Sequence, residues 1–173
     1  MEETAQENAD GTPPEGVGGS KAELPLGTYP VKIDDKGRIK VPARFQEYIE
    51  GFADKTLFVT SLDRRKVAIY NVGVWRENLK RFKEYRGDPA AVAVVQFNAN
   101  DLGTEEKMDG QGRLLLNSSL REALVLEDRA TLHMQGCNGH IECITDSVYQ
   151  ELRARALREA AMAAEKLLGE GFD

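Results

Sequence analysis

No apolar run in this sequence approaches the roughly 18 residues of a membrane-crossing helix. The longest candidate, Ala90 to Val95, is far too short. The N-terminus lacks a basic start followed by an apolar segment, so no signal peptide is expected. Cysteine is scarce, and Cys137 and Cys143 alone do not make a secreted disulfide framework. These absences predict a cytoplasmic protein with no membrane partner. Catalytic signatures are missing too. There is no G-x-S-x-G elbow and no P-loop, and Gly110-x-Gly112 lacks the third glycine and following helix of a dinucleotide site. An enzyme is therefore not expected, and nothing calls for a cofactor.

Positive charge is also short overall: 23 Lys and Arg stand against 29 Asp and Glu, a net charge of −6. That sum argues against a nucleic-acid partner, but the charge is unevenly distributed. Residues 1–25 hold Glu2, Glu3, Glu7, Asp10, Glu15 and Glu23 against Lys21 alone. They are rich in Gly, Pro and Glu and nearly free of large apolar side chains, so they read as a disordered acidic tail. Residues 31–44 instead gather Lys32, Lys36, Arg38, Lys40 and Arg44 against Asp34 and Asp35. A local patch decides phosphate contact more than the whole-chain sum does.

That basic patch contains the stretch Ile33-Asp34-Asp35-Lys36-Gly37-Arg38-Ile39-Lys40-Val41. Val31, Ile33, Ile39 and Val41 alternate with polar residues, as half-buried strands do. Between them, Asp and Gly supply turn chemistry. The pattern returns 75 positions later as Lys107-Met108-Asp109-Gly110-Gln111-Gly112-Arg113-Leu114-Leu115-Leu116. The repetition continues beyond the loop. Phe45 and Ile49 match Leu120 and Leu124, Leu57 and Val59 match Leu132 and Met134, and Trp75 matches Tyr149. Each copy reads as strand, loop, strand, helix and hairpin, too small to close a core alone. The expected organisation is the tail (1–25), a first unit (27–75), a helical linker (76–102), a second unit (103–149) and a C-terminal helix (150–168). Asp88-Pro89 should start a helix, and Ser119/Glu122 and Ser147/Gln150 fit capping boxes for two more.

Asp34-x-Lys36-Gly37-Arg38-x-x-x-Pro42 followed by Phe45, then Asp109-x-x-Gly112-Arg113, resembles the MraZ family of bacterial transcriptional regulators, which carry two tandem SpoVT/AbrB-type domains. The resemblance covers nearly everything except the acidic tail. It implies an α+β fold in which two AbrB-like swapped-hairpin units interlock as a β-barrel flanked by helices. It also implies subunits assembled into a ring-shaped homo-oligomer, associated with the nucleoid. The partner it implies is double-stranded promoter DNA carrying short direct repeats, upstream of the protein's own cell-wall and cell-division operon. By this resemblance Asp34 with Arg38, and Asp109 with Arg113, carry DNA binding. The second copy departs from the first, with Asn117 for Pro42, Gln111 for Lys36 and Leu115 for Lys40.

The residue chemistry points the same way. A β-element can enter the major groove, where arginine pairs with guanine O6 and N7 through two hydrogen bonds. Lys32, Lys36 and Lys40 can neutralise phosphates; Lys107 and Gln111 in the second copy complete the candidate set. Carboxylates are repelled by phosphate, so Asp34 and Asp109 should cap the loop or orient the arginine four residues on. Alternatively, the Asp/Gly/Arg pattern merely builds a turn. Another alternative is an antitoxin-like protein-binding module whose helix from Val148 to Leu168 grips a partner. His133-x3-Cys137-x2-His140-x2-Cys143 resembles zinc-ligand spacing. With a turn at Gly136–Gly139, however, His133 would face Glu142 and Gln135 would face His140. Cys143 would then join Leu132, Met134 and Ile141 on the opposite, apolar face. No metal site is expected there.

Overall fold

The computed structural model describes residues 19–172. Residues 1–18, most of the expected acidic tail, lie outside the described residues. The remainder of that stretch packs on the first helix. The Ser20 hydroxyl donates to the Tyr48 carbonyl (2.6 Å), and Lys21 N–H donates to the Gly51 carbonyl (3.1 Å). Helix C-termini leave carbonyls without partners, and these residues supply two donors there. Leu24 packs against the main core.

In chain order the first half contains β1 (Thr28–Lys32), β2 (Arg38–Lys40), α1 (Ala43–Glu50), β3 (Leu57–Thr60), β4 (Lys66–Asn71) and α2 (Val72–Glu84). After α3 (Pro89–Leu102) the second half repeats the order: β5 (Thr104–Glu106), β6 (Arg113–Leu115), α4 (Ser118–Ala123), β7 (Thr131–Cys137), β8 (His140–Thr145) and α5 (Asp146–Gly169). The fold is mixed α+β, with five helices and an open antiparallel sheet among the described residues.

The sheet order is β1-β7-β8-β4-β3-β5, and β2 pairs separately with β6. Each half forms its own hairpin, β3–β4 or β7–β8, and the hairpins join through β4 and β8. The outer strands come from the opposite half. β1 pairs with β7 (Val31 opposite Leu132), and β5 pairs with β3 (Phe58 opposite Glu105). Neither half completes its part of the sheet alone.

One apolar cluster fills the interior. Ile33, Ile39, Val41, Phe45 and Ile49 from the first half meet Leu114, Leu116, Leu120, Leu132, Met134 and Cys143 from the second. The alternation of β1 and β2 puts their apolar residues into this cluster and leaves Lys32 and Lys40 exposed. A smaller cluster of Phe58, Ala68, Tyr70, Trp75 and Ala99 lies between the β3–β4 hairpin and helices α2 and α3. It is built on stacked Phe58 and Trp75 rings 4.9 Å apart.

Local signals set most helix starts, with differences of a residue or two. Asp88 Oδ1 accepts from Ala90 and Ala91 N–H, and Pro89 opens α3 as expected. Pro42 stands at the N-cap of α1. The cap of α4 is Asn117, accepting from Leu120 N–H at 2.9 Å, and not Ser119. The cap of α5 is Thr145, not Ser147. α5 follows β8 directly and α4 follows β6 after two residues, and in each the residue just before the helix takes the capping role.

The β7–β8 hairpin corrects the expected register. Its turn is only Asn138-Gly139, with φ of +46° and +80°, the left-handed pair that suits a two-residue hairpin. His133 therefore faces Ile144, Gln135 faces Glu142, and Cys137 faces His140. The slip is two residues, so every side chain keeps its expected face. Cys143 is buried in the core, whereas His133 stacks on Tyr149 and His140 on Tyr70. The four residues with zinc-like spacing are thus divided between the two faces of the sheet. Among the described residues no three His, Cys, Asp or Glu side chains converge as metal ligands.

Candidate nucleic-acid interface

Between β1 and β2 the chain turns back within five residues, and Asp34 is its frame. Asp34 N–H donates to the Arg38 carbonyl (2.8 Å), and Gly37 N–H donates to the Asp34 carbonyl (3.0 Å). The carboxylate divides its two oxygens. Oδ1 accepts from the backbone N–H of Lys36 and of Arg38, both at 2.9 Å. Oδ2 accepts from Arg38 Nε at 2.9 Å, with Nη2 at 2.8 Å. The Arg38 backbone N–H, and next its side chain, hold the Asp34 carboxyl down to about 2. The carboxylate therefore stays ionised through the whole neutral range.

The second loop repeats the backbone bonds and the Nε bond. Asp109 N–H donates to the Arg113 carbonyl and Gly112 N–H to the Asp109 carbonyl, both at 2.9 Å. Asp109 Oδ1 accepts from Gln111 and Arg113 N–H at 2.9 Å, and Oδ2 from Arg113 Nε at 2.8 Å. The Arg113 backbone N–H is the main reason the Asp109 carboxyl also lies below its ordinary range. Gly37 and Gly112 hold φ of +75° and +71°, a region costly for any residue with a Cβ.

The loops meet across a local twofold axis. In the β2–β6 pair Ile39 faces its own counterpart Leu114, Arg38 faces Leu115, and Lys40 faces Arg113. Reciprocal bonds extend the pairing: Val41 N–H donates to the Gly112 carbonyl and Leu116 N–H to the Gly37 carbonyl, both at 2.9 Å. Arg38 Nη1 stands 4.0 Å from Asp109 Oδ2. Buried Phe45 and Leu120, at matched places in α1 and α4, support the pair from the core side.

This geometry limits what the arginines can do. Asp34 occupies the Nε–Nη2 edge of the Arg38 guanidinium, which leaves the Nη1–Nη2 end for another planar acceptor. A guanidinium has five N–H donors in a rigid fork, so one edge can be anchored while the other reads. Arg38 is thus fixed in direction before any ligand arrives. Asp34 and Asp109 each cap their own loop and hold the arginine four residues on.

The structure brings seven candidate residues together at this surface: Asp34, Lys36, Arg38, Lys40, Asp109, Gln111 and Arg113. Lys36 and Gln111 occupy the exposed loop tips. The Lys40 ammonium donates to the Gln111 carbonyl, so its charge sits beside the second loop and not its own. Lys32 ends β1, two residues before Asp34. Lys107 holds the matching place in the second half. It lines a surface hollow with Ile49, Asp54 and Lys55. There the Asp54 carboxyl is held low first by hydrogen bonds from Thr56 and then by Lys107 and Arg76.

Sequence alone does not single out two further residues of this surface. Arg121 Nε donates to the Leu116 carbonyl (3.0 Å), and Gln46 Nε2 donates to the Val41 carbonyl (2.6 Å). Each side chain lies over the other half's loop glycine, Arg121 on Gly37 and Gln46 on Gly112. The signal that could have found them is their separation of 75 positions, one place after Phe45 and Leu120.

A comparison with protein-family models finds no match. Individual relatives are clear. The chain is 35% identical over 153 residues to the transcriptional regulator MraZ of Desulfitobacterium hafniense (strain Y51), covering 85% of this chain and 99% of that one. It is 33% identical over 110 residues to MraZ of Acidobacterium capsulatum, covering 63% and 75%. With MraZ of Koribacter versatilis the figure is 35% over 99 residues, covering 56% and 67%. Two interleaved copies of one α+β unit, joined at a doubled Asp–Arg loop, are the body of a tandem-repeat transcription regulator. The chain belongs to the MraZ family of transcriptional regulators.

Proposed function

We propose that this protein is a sequence-specific double-stranded-DNA-binding repressor that acts without catalysis. By family resemblance it controls its own cell-wall and cell-division operon by binding short direct repeats. The observation that carries the reading is the pair of adjacent Asp–Arg loops, each arginine anchored along one edge by its own aspartate. Arg38 and Arg113 would read base edges, Lys36 and Gln111 would meet the duplex at the loop tips, and Lys32, Lys40 and Lys107 would favour phosphates.

The exchange of β1 and β5 between halves supports an AbrB-like swapped-hairpin barrel. A ring-shaped homo-oligomer is supported by apolar side chains left on the surface of α3 and α5. Val94, Phe97, Leu157 and Met162 are each at least 69% exposed. Exposed apolar patches of this kind mark interaction surfaces. Among the described residues no helix is long and apolar enough to cross a membrane, and a cytoplasmic, nucleoid-associated location fits the reading.

Footprinting of the purified protein on DNA upstream of its own gene, with a salt titration, tests this. The expected result is protection of short repeats at regular spacing, weakening steeply with salt. Equal binding to unrelated DNA, or none, overturns it. A second reading, the antitoxin-like module, rests on α5, which has no buried residue. Deletion of α5 that abolishes a protein contact while leaving no DNA binding to lose would favour it.

A further inference from the structure

Resting on the DNA-binding reading, we infer that each loop takes its phosphate-binding cation from the opposite half of the chain, Arg121 serving the Asp34–Arg38 loop and Lys40 the Asp109–Arg113 loop.

Each Asp–Arg pair is internally neutral, so the two signature pairs add nothing to the attraction for a polyanion. In the first loop Lys36 is offset by its neighbour Asp35; in the second, Gln111 and Gly110 carry no charge. Neither loop has net positive charge of its own.

The tertiary structure supplies it. Arg121 is anchored by its Nε on the Leu116 carbonyl, and its guanidinium lies against the first loop. A Cβ built on Gly37 would stand 2.7 Å from Arg121 Cζ and 3.0 Å from Nη2. Lys40 reaches the second loop in the same crossed sense, through the Gln111 carbonyl. Among the described residues, no carboxylate pairs with Arg121, Lys36 or Lys40 within 4.0 Å. Arg38 and Arg113 are both paired. Beside the arginines already committed to aspartate, the unpaired charges are thus Lys36, offset by Asp35 in its own loop, and the two crossed ones. Gln46 stands at the equivalent place over Gly112 without charge, as expected if Lys40 already serves that loop.

The test compares Arg121→Gln, Arg121→Lys and Lys40→Gln with Arg38→Ala, on a duplex from the region upstream of the protein's own gene. Gln46 shows that glutamine fits this position and keeps the carbonyl bond. Arg121→Gln and Lys40→Gln should each make the dependence of log K on log salt shallower by about 0.9 for every engaged copy. The double variant should show the sum. Arg121→Lys should keep the parental slope. Unchanged slope and affinity in Arg121→Gln, while Arg38→Ala loses binding, overturns the inference and leaves the DNA-binding reading standing. A slope as shallow in Arg121→Lys as in Arg121→Gln also overturns it, because Arg121 would then act through packing on Gly37. If Arg38→Ala binds as tightly and selectively as the parent, the DNA-binding reading itself falls.

Discussion

Replacing Gly37 by alanine tests the loop architecture directly. Gly37 is needed for two separate reasons: its φ is +75°, and the Arg121 guanidinium packs where a Cβ would go. The left-handed backbone alone costs an L-residue about 1–2 kcal/mol. The steric part is relievable, because the neighbour is the far end of a flexible side chain. Gly37→Ala should therefore lose about 1–2 kcal/mol and lower the melting temperature by about 2–8 °C for a chain of this size. Arg121→Ala in the same chain should recover the steric share and not the backbone share. Gly110 provides the control: nothing lies within 4 Å of its would-be Cβ, and its φ is not positive. Urea and thermal unfolding at one fixed protein concentration measure all three, since self-association shifts apparent stability. If Gly37→Ala unfolded together with Gly110→Ala and the parent, the loop would not be held as described.

Arg38→Ala should cost roughly 1–3 kcal/mol of operator binding and relax the base preference, whereas Lys36→Ala should weaken binding to all sequences alike; competition assays on matched and mismatched duplexes separate them. The Glu142 carboxyl is held down to about 2 by His140 and then Lys66. Its folded pKa lies below its unfolded value, so its contribution is full above the ordinary glutamate range and lost as pH falls towards 2. Glu142→Gln should flatten the acid side of the stability–pH curve in that window, and an unaltered curve would contradict the assignment. Inserting about half a helical turn between DNA repeats should turn neighbours to opposite faces and weaken binding, while a whole-turn insertion is better tolerated; gel-shift titration reads the difference.

What could be read from the chain alone was what depends on short separations. Both Asp/Gly/Arg loops were legible because their bonds run between residues two to four apart. The facing of Cys143 and His133 was legible because strand alternation survives a two-residue slip. The turn length was not, because it depends on Asn138 and Gly139 both taking left-handed conformations. The doubling was visible because duplication leaves a constant offset, but an offset does not say how the copies meet. Only the tertiary structure decided that β1 and β5 cross to the opposite halves, that residues 20–24 pack on α1 and the core, and that Lys40 and Arg121 sit beside loops not their own. Those contacts join residues 71 apart for Lys40 and Gln111, and 28 apart for Ser20 and Tyr48. No local pattern encodes them. They form because two units that cannot each bury an apolar face close one core together, and that shared core sets where the charges arrive.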